Sequence, residues 1–343
     1  MSKAALAPGA AGVDWPTAGS AVAETAAVPS PREGPLPSFC APTGSPFSWL
    51  HDTAETIRDR MLVNGAVLVR GLPLDGPNSL VEARTALGIT IHTPVEAFNQ
   101  RNDFGNGIVS PIGWPDERNI CPFQEGSFSR AFPSVVLTAC ITAPDGDGQA
   151  HLSDTRRIAA HLPATLADRI RTDGWTMTRV FHDGFGISWR EAFGVADRAE
   201  LDRLLATAGI ESHWLPNGTL RTVRHRPGVI EHPATGDECW FNQISFLNAG
   251  SLEPAERAIM TKAFGQDIPM DTFFGDGSPL SEEDLAAIQH AYDSVKIGVP
   301  WRSGDLLITD NILTAQGRSS FAGSPEFLLA LGEEFSPGSV RRR

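Results

Sequence analysis

Cysteine is scarce and scattered in this chain. The four, Cys40, Cys121, Cys140 and Cys239, form no Cys-x-x-Cys pair. That spacing excludes a familiar zinc site and signals no disulfide framework, so a reducing cytoplasm is the expected compartment. No apolar run approaches the roughly 20 residues that a membrane-spanning helix needs. The opening MSKAALAPGAAG carries one lysine and no apolar core, so no secretory signal is expected. Basic residues are in deficit, 28 Lys and Arg against 41 Asp and Glu, for a formal net charge of -13. General nucleic-acid binding needs a basic face, which this balance argues against. The run Arg341–Arg343 reads as the end of a solvated tail.

Common catalytic signatures are missing as well. No Gly-x-Ser-x-Gly elbow occurs. The glycine-rich GFGIS (184–188) and GDGSP (275–279) stand outside the strand–loop–helix setting that cradles phosphate. Cys121 is the one thiol placed to be considered as a nucleophile, against the plainer reading of a buried cysteine.

What is present describes a soluble globular chain of 343 residues, 41% hydrophobic and 20% charged. Residues 1–45 are rich in Ala, Pro, Gly and Ser, bury too little to offset their ordering entropy, and are expected to be disordered or loosely packed. A single domain is expected over 46–337, with a basic tail at 338–343. It opens with a helical pattern in DTAETIRDRMLVNG, closed by Asn64-Gly65, and a buried strand AVLVRGLPL. Further strands are expected in PSVVLTACIT, TMTRVF, TLRTVRH, CWFNQ, DLLITD and EFLLAL. Helical patches fall between them, with Pro254 suited to a first turn and Ser281 with Asp284 resembling a capping box. Strands and helices do not alternate strictly, which disfavours a doubly wound parallel sheet. The fold class expected is mostly β with helical insertions (α+β), built on an antiparallel sandwich.

Four segments carry a resemblance: GAVLVRGLPL, PFQEGSFSRAFPSVV, GQAHLSDTRRI and WRSGDLLITDNILTAQGRSSFAG. In this order they resemble the taurine dioxygenase-like (TauD/TfdA) family, and most of all its SyrP-like members serving secondary-metabolite assembly lines. The likeness runs over about residues 50–335 and implies a double-stranded β-helix, or jelly roll. Active members hold iron(II) with a His-x-Asp/Glu pair and a distal His, leaving positions for 2-oxoglutarate and oxygen. Where the family reads HNE, this chain reads Phe123-Gln124-Glu125, so the first His position is Phe123 and the carboxylate position is Glu125. The distal His position falls on Gln316, in Asp310-Asn311-Ile312-Leu313-Thr314-Ala315-Gln316-Gly317-Arg318. A Thr of the co-substrate site corresponds to Ala150, and the Arg that pairs with 2-oxoglutarate falls near Pro325 and Glu326. The residues agree without the family. Phenylalanine has no lone pair to donate, a Gln amide is a weak ligand, and none of the nine histidines is followed two positions on by Asp or Glu.

The expectation is therefore a TauD/TfdA-like protein without iron or 2-oxoglutarate, metal-independent and with no cofactor. It would be a redox-neutral biosynthetic enzyme performing a cyclisation, elimination, isomerisation or condensation by acid–base catalysis. Its partner would be a small amino-acid-like substrate, free or tethered to a carrier protein; a homo-oligomer is left open. Glu125, set beside Phe123 and Phe128, is the candidate acid or base, its carboxyl made less acidic by desolvation. Gln316 would orient a carbonyl or stabilise an oxyanion through its amide N–H, and Arg318 would grip a substrate carboxylate. Period-two alternation sends either Asn242 or Gln243 into the pocket. Asn311 and Phe123 are further candidates for substrate contact, and His151 for proton transfer. The alternatives are an Fe(II)/2-oxoglutarate-dependent oxygenase with atypical ligands and a non-catalytic binding or scaffold protein.

Overall fold

The computed structural model describes residues 35–337; most of the Ala/Pro-rich segment, residues 1–34, and the basic tail at 338–343 lie outside the described residues. In chain order the strands are β1 (Ser38–Cys40), β2 (Ala66–Arg70), β3 (Ile108–Val109), β4 (Ile120–Phe123), β5 (Phe132–Thr142), β6 (Gln149–Asp154), β7 (Trp175–Phe181) and β8 (Glu211–Trp214). They continue with β9 (Leu220–Arg226), β10 (Val229–Glu231), β11 (Glu238–Trp240), β12 (Met270–Phe274), β13 (Lys296–Pro300), β14 (Asp305–Asp310), β15 (Thr314–Arg318) and β16 (Glu326–Phe335). A six-stranded major sheet has the order β1-β2-β14-β5-β16-β3, and a four-stranded minor sheet the order β13-β6-β15-β4. The two sheets form the jelly roll. Between them in sequence, a four-stranded sheet β12-β7-β9-β8 and the hairpin β10-β11 make an insertion.

Alternation within two short strands explains why they sit at the centre. In β2, Val67 and Val69 face outward onto helices Ala54–Asn64 and Pro77–Ala86, while Ala66 and Leu68 face the minor sheet. In β14, Leu306 and Ile308 join the helix side and Leu307 meets Ala150, Leu152 and Val299 across the sandwich. A strand buried on both faces reads as a continuous apolar run rather than an alternating one, and both do. β5 is the long central strand, paired antiparallel to β14 on one edge and β16 on the other.

The local signals hold where they were expected. Helix Ala54–Asn64 ends on Gly65 in the left-handed region (φ 74), where a side chain would also strike Thr314 Oγ1. Pro254 begins helix Pro254–Phe264, and Ser281 and Asp284 form a reciprocal capping box. Two boundaries differ. Ser38–Cys40, placed in the loose segment, pairs parallel with β2 through backbone bonds that composition cannot reveal. The strand expected over CWFNQ stops at Trp240, and a short helix begins at Ile244.

The insertion is fastened to the jelly roll by a strap over residues 91–103. Ile91 bridges to Gly332 of the major sheet. Five residues on, Glu96 is buried between Arg179 of β7 and Arg224 of β9, one oxygen to each. Arg179 also donates to the carbonyls of Ala97 and Phe98 at 3.2 and 2.8 Å. Removing one member of such a cluster leaves buried charge without a partner. Glu96→Ala is expected to lower the unfolding free energy by about 3–5 kcal/mol, measured by denaturant titration.

Candidate active site

The site grows from the minor sheet. β15 lies between β4 and β6, with Gln316 opposite Phe123 on one side and Leu152 on the other. Directly paired residues on antiparallel strands turn their side chains to the same face. The two positions read from the sequence as vacated imidazoles are thus cross-strand neighbours. The intervening Gly317 makes this possible: a Cβ there would lie 2.4 Å from the Ile120 carbonyl oxygen and 2.8 Å from the Pro122 nitrogen. Beside this pair opens a cavity of about 460 Å³ lined by Phe123, Glu125, Ala150, Gln316, Arg318 and Glu326, together with Arg101. The positions matched to metal and co-substrate groups therefore converge on one cavity.

The side chains present do not fit an iron(II) centre. The Phe123 ring lies flat on Phe246, centroids 4.3 Å apart and planes within 7°. Gln316 donates through Nε2 to Thr309 Oγ1, whose own hydroxyl donates to the Val136 carbonyl at 3.1 Å. That chain of donors fixes the amide's orientation. Glu125 is ion-paired: Arg101 Nη2 stands 3.0 Å from both of its carboxylate oxygens. The two side chains are 14% and 18% exposed, shielded but open to the cavity. An aromatic ring, a committed amide and a carboxylate held by a cation do not make the donor set of such a metal. Among the described residues, no group of three or more His, Cys, Asp and Glu side chains is arranged to hold a metal ion.

Several candidates prove to be structural. Asn311 accepts from the Glu125 N–H at 2.8 Å, and its Nδ2 donates to the carbonyls of Glu125 at 2.8 Å and Pro133 at 2.7 Å. It is a clamp on the Glu125 backbone, not a substrate contact. Arg318 lines the cavity, but its terminal nitrogens donate to the carbonyls of Trp114, Pro115, Arg118 and Ser319 at 3.0–3.2 Å. Its fork is spent on holding the 114–119 loop, leaving no bidentate face for a carboxylate. Because the strand ends at Trp240, the alternation argued for Asn242 and Gln243 does not apply. Asn242 donates to the Gly228 carbonyl and Gln243 to the Gln124 carbonyl, both buried. His151 faces away from the cavity that Ala150 lines, its pKa lowered by burial and by Lys296. Burial pushes the Cys121 thiol up to about 12, which disfavours the thiolate that a nucleophile needs.

Arg101 went unrecognised in the sequence. It lies 24 residues before Glu125, in a polar turn with no periodicity, and only the strap delivers it to the cavity. Phe246, on the short helix after the misjudged strand, was missed for the same reason.

The register has a direct test. Phe123→His combined with Gln316→His is expected to place two imidazoles opposite each other beside Glu125, and to bind Co(II) with the visible absorption of a His-ligated ion. Titration of the wild type should give no such bands. A double variant that binds no better than wild type would refute the pairing.

Comparison with known proteins places the chain in a family. The profile of the "Taurine catabolism dioxygenase TauD, TfdA family" matches residues 33–331. The dapdiamide synthesis protein DdaC of Enterobacter agglomerans is 27% identical over 276 residues, covering 80% of this chain and 84% of that one. A clavaminate synthase-like protein of Arabidopsis thaliana is 23% identical over 300 residues, covering 84% and 86%. Among solved structures, PvcB of Pseudomonas aeruginosa is 16% identical with a TM-score of 0.48, covering 87% of this chain and 89% of that one. No helix among the described residues is long and apolar enough to cross a membrane. On the extent of the profile match, this chain is a member of the TauD/TfdA family.

Proposed function

We propose that this protein is a redox-neutral biosynthetic enzyme that works without iron(II) or 2-oxoglutarate, with Glu125 as its acid–base group and Arg101 as its binding cation. The observation that carries this reading is the Arg101–Glu125 pair, shielded inside a cavity whose two imidazole positions hold Phe123 and Gln316. The co-substrate side points the same way. Ala150 offers no hydroxyl there, and Glu326 would repel a dicarboxylate. Relatives concerned with secondary metabolites, such as the dapdiamide synthesis protein, favour a small amino-acid-like substrate, free or carried on a partner protein.

The contacts support a division of labour. Arg101 touches Glu125 through Nη2 alone, which leaves the rest of its fork to take a substrate carboxylate. Glu125, its backbone locked by Asn311, stands beside that anchored group to take up a proton and return it elsewhere on the same molecule. With the Gln316 N–H directed to Thr309, its Oε1 is the acceptor offered to the cavity, suited to orienting a substrate N–H rather than an oxyanion. Isomerisation and addition-type cyclisation need only these operations; in an elimination or condensation the substrate itself carries the leaving group, which departs with the proton that Glu125 returns to it.

Two measurements test this. Anaerobic calorimetry with iron(II) and then 2-oxoglutarate is expected to show no binding of either; tight binding of both would restore an oxygenase with unusual ligands. Deuterium wash-in from D₂O, followed by NMR across a panel of amino acids and their N-acyl derivatives, should reveal an exchanged C–H. Glu125→Gln should slow that exchange by about 10²–10⁴-fold. Exchange unchanged in that variant would remove Glu125 from the chemistry.

A further inference from the structure

A second cavity, of about 380 Å³, lies on the other side of the aromatic wall and has no part in the function proposed above. Ile112 and Trp114 line both cavities, and Phe246 lines the second while stacking on Phe123, which lines the first. The Trp114 ring rests 5.9 Å from that of Phe246. The partition between the two spaces is therefore one layer of side chains thick.

The two cavities differ in chemistry. Arg101, Glu125 and Gln316 face the first. The second is walled by groups such as Phe181, Phe185, Leu252 and Met260. Its cation, Arg179, is committed to Glu96 and to the carbonyls of Ala97 and Phe98. Its Asn248 is committed to Thr272 and to the Gly250 N–H. With Arg179 and Asn248 committed, and the Asn99 Oδ1 accepting from the Gln100 N–H, the wall offers few polar groups and no free charge, so it favours an occupant that is neutral and mostly apolar. Its size is that of a small-molecule site, and its location beside the catalytic cavity makes the two subsites of one ligand geometrically natural.

The partition itself carries the decisive feature. Trp114 Nε1 is buried and has no hydrogen-bond partner. Buried indole N–H groups usually find an acceptor, and leaving one without is destabilising. A carbonyl lying in the partition would supply that acceptor once the ring turns. The backbone beneath it would not have to move, because the Trp114 carbonyl is pinned by Arg318 at 3.2 Å.

We propose that the substrate is an acyl-bearing amino-acid derivative spanning both cavities: its carboxylate on Arg101, its acyl carbonyl at Trp114 Nε1, and its apolar arm in the second chamber. This rests on the reading of Arg101 and Glu125 given above, and deepens it by naming the arm. Trp114 and Phe246 then act as the divider that the acyl chain displaces.

N-acetylglycine, N-hexanoylglycine and N-decanoylglycine are the probes, titrated by calorimetry into the full-length protein. Affinity should rise steeply with acyl length, by roughly tenfold for every two methylenes buried, until the chamber is full. Met260→Trp, which fills the chamber from helix Pro254–Phe264, should abolish the gain of the longer acyl chains while leaving N-acetylglycine unchanged. Leu252→Trp is the second variant should the first fold poorly. Trp114→Phe, which keeps a ring but deletes the N–H, should weaken N-decanoylglycine by roughly fivefold. Affinity indifferent to acyl length, or a gain that survives filling of the chamber, overturns the proposal. Binding of N-decanoylglycine that is sensitive to Met260→Trp but indifferent to Arg101→Met would uphold the chamber and overturn instead the assignment of the head group to Arg101.

Discussion

The side chain of Asn311 holds the site together. It follows the last residue of β14 in the major sheet and reaches the segment after β4 in the minor one, bonding the N–H and the carbonyl of Glu125 as a strand partner would. Its neighbour Asp310 performs the same office for the next turn, accepting from the N–H groups of Ile312 and Leu313 and from His232. The Asp310–Asn311 pair thus ties the end of β14, the start of β15 and the carboxylate-bearing segment into one unit. Buried side-chain amides that satisfy several backbone groups at once are costly to replace, because every partner loses its bond together. The position of Glu125, and with it any chemistry in the cavity, follows from this clamp.

Around the clamp, the wall of the cavity is built by aromatic packing. Phe123 and Phe246 stack where an imidazole and its ligand sphere would need room, and Phe98, Phe128 and Trp114 extend the layer. Apolar packing of this kind stabilises a cavity wall without needing an ion to complete it. What remains polar is arranged around Arg101. The other arginines near the site are fasteners: Arg318 holds the 114–119 loop, while Arg179 and Arg224 hold Glu96 of the strap. Since the strap also carries Arg101, the buried cluster at Glu96 and the pair at Glu125 are parts of one mechanical arrangement.

The residues named for function divide along physical lines. Phe123, Glu125, Gln316 and the positions Ala150 and Glu326 line one cavity, because they belong to local motifs whose order along the chain brings them to neighbouring strands. Arg318, Asn311, Asn242, Gln243 and His151 were assigned to substrate from their places in or beside the same motifs, which do not show what else lies within reach of a side chain. Each is a polar side chain in a dense interior, and the unpaired backbone groups around it claimed its donors first. The strands of the minor sheet are short, four to six residues each, and two carry a proline, so they left little pattern to read.

The sequence by itself determined the apolar runs that must lie at the centre of a sandwich, the helix caps, and the absence of imidazole at 123 and 316. These are properties of single residues or of neighbours along the chain, and no folding can supply a lone pair to a phenyl ring. Only the tertiary structure decided that Arg101 meets Glu125, that Arg318 is a staple and Asn311 a clamp, and that His151 turns outward. It alone decided that a second cavity lies one side chain beyond the first. Those outcomes depend on strand register and on contacts between segments far apart in sequence, where each donor has several acceptors within reach and the packing of the whole sandwich chooses among them.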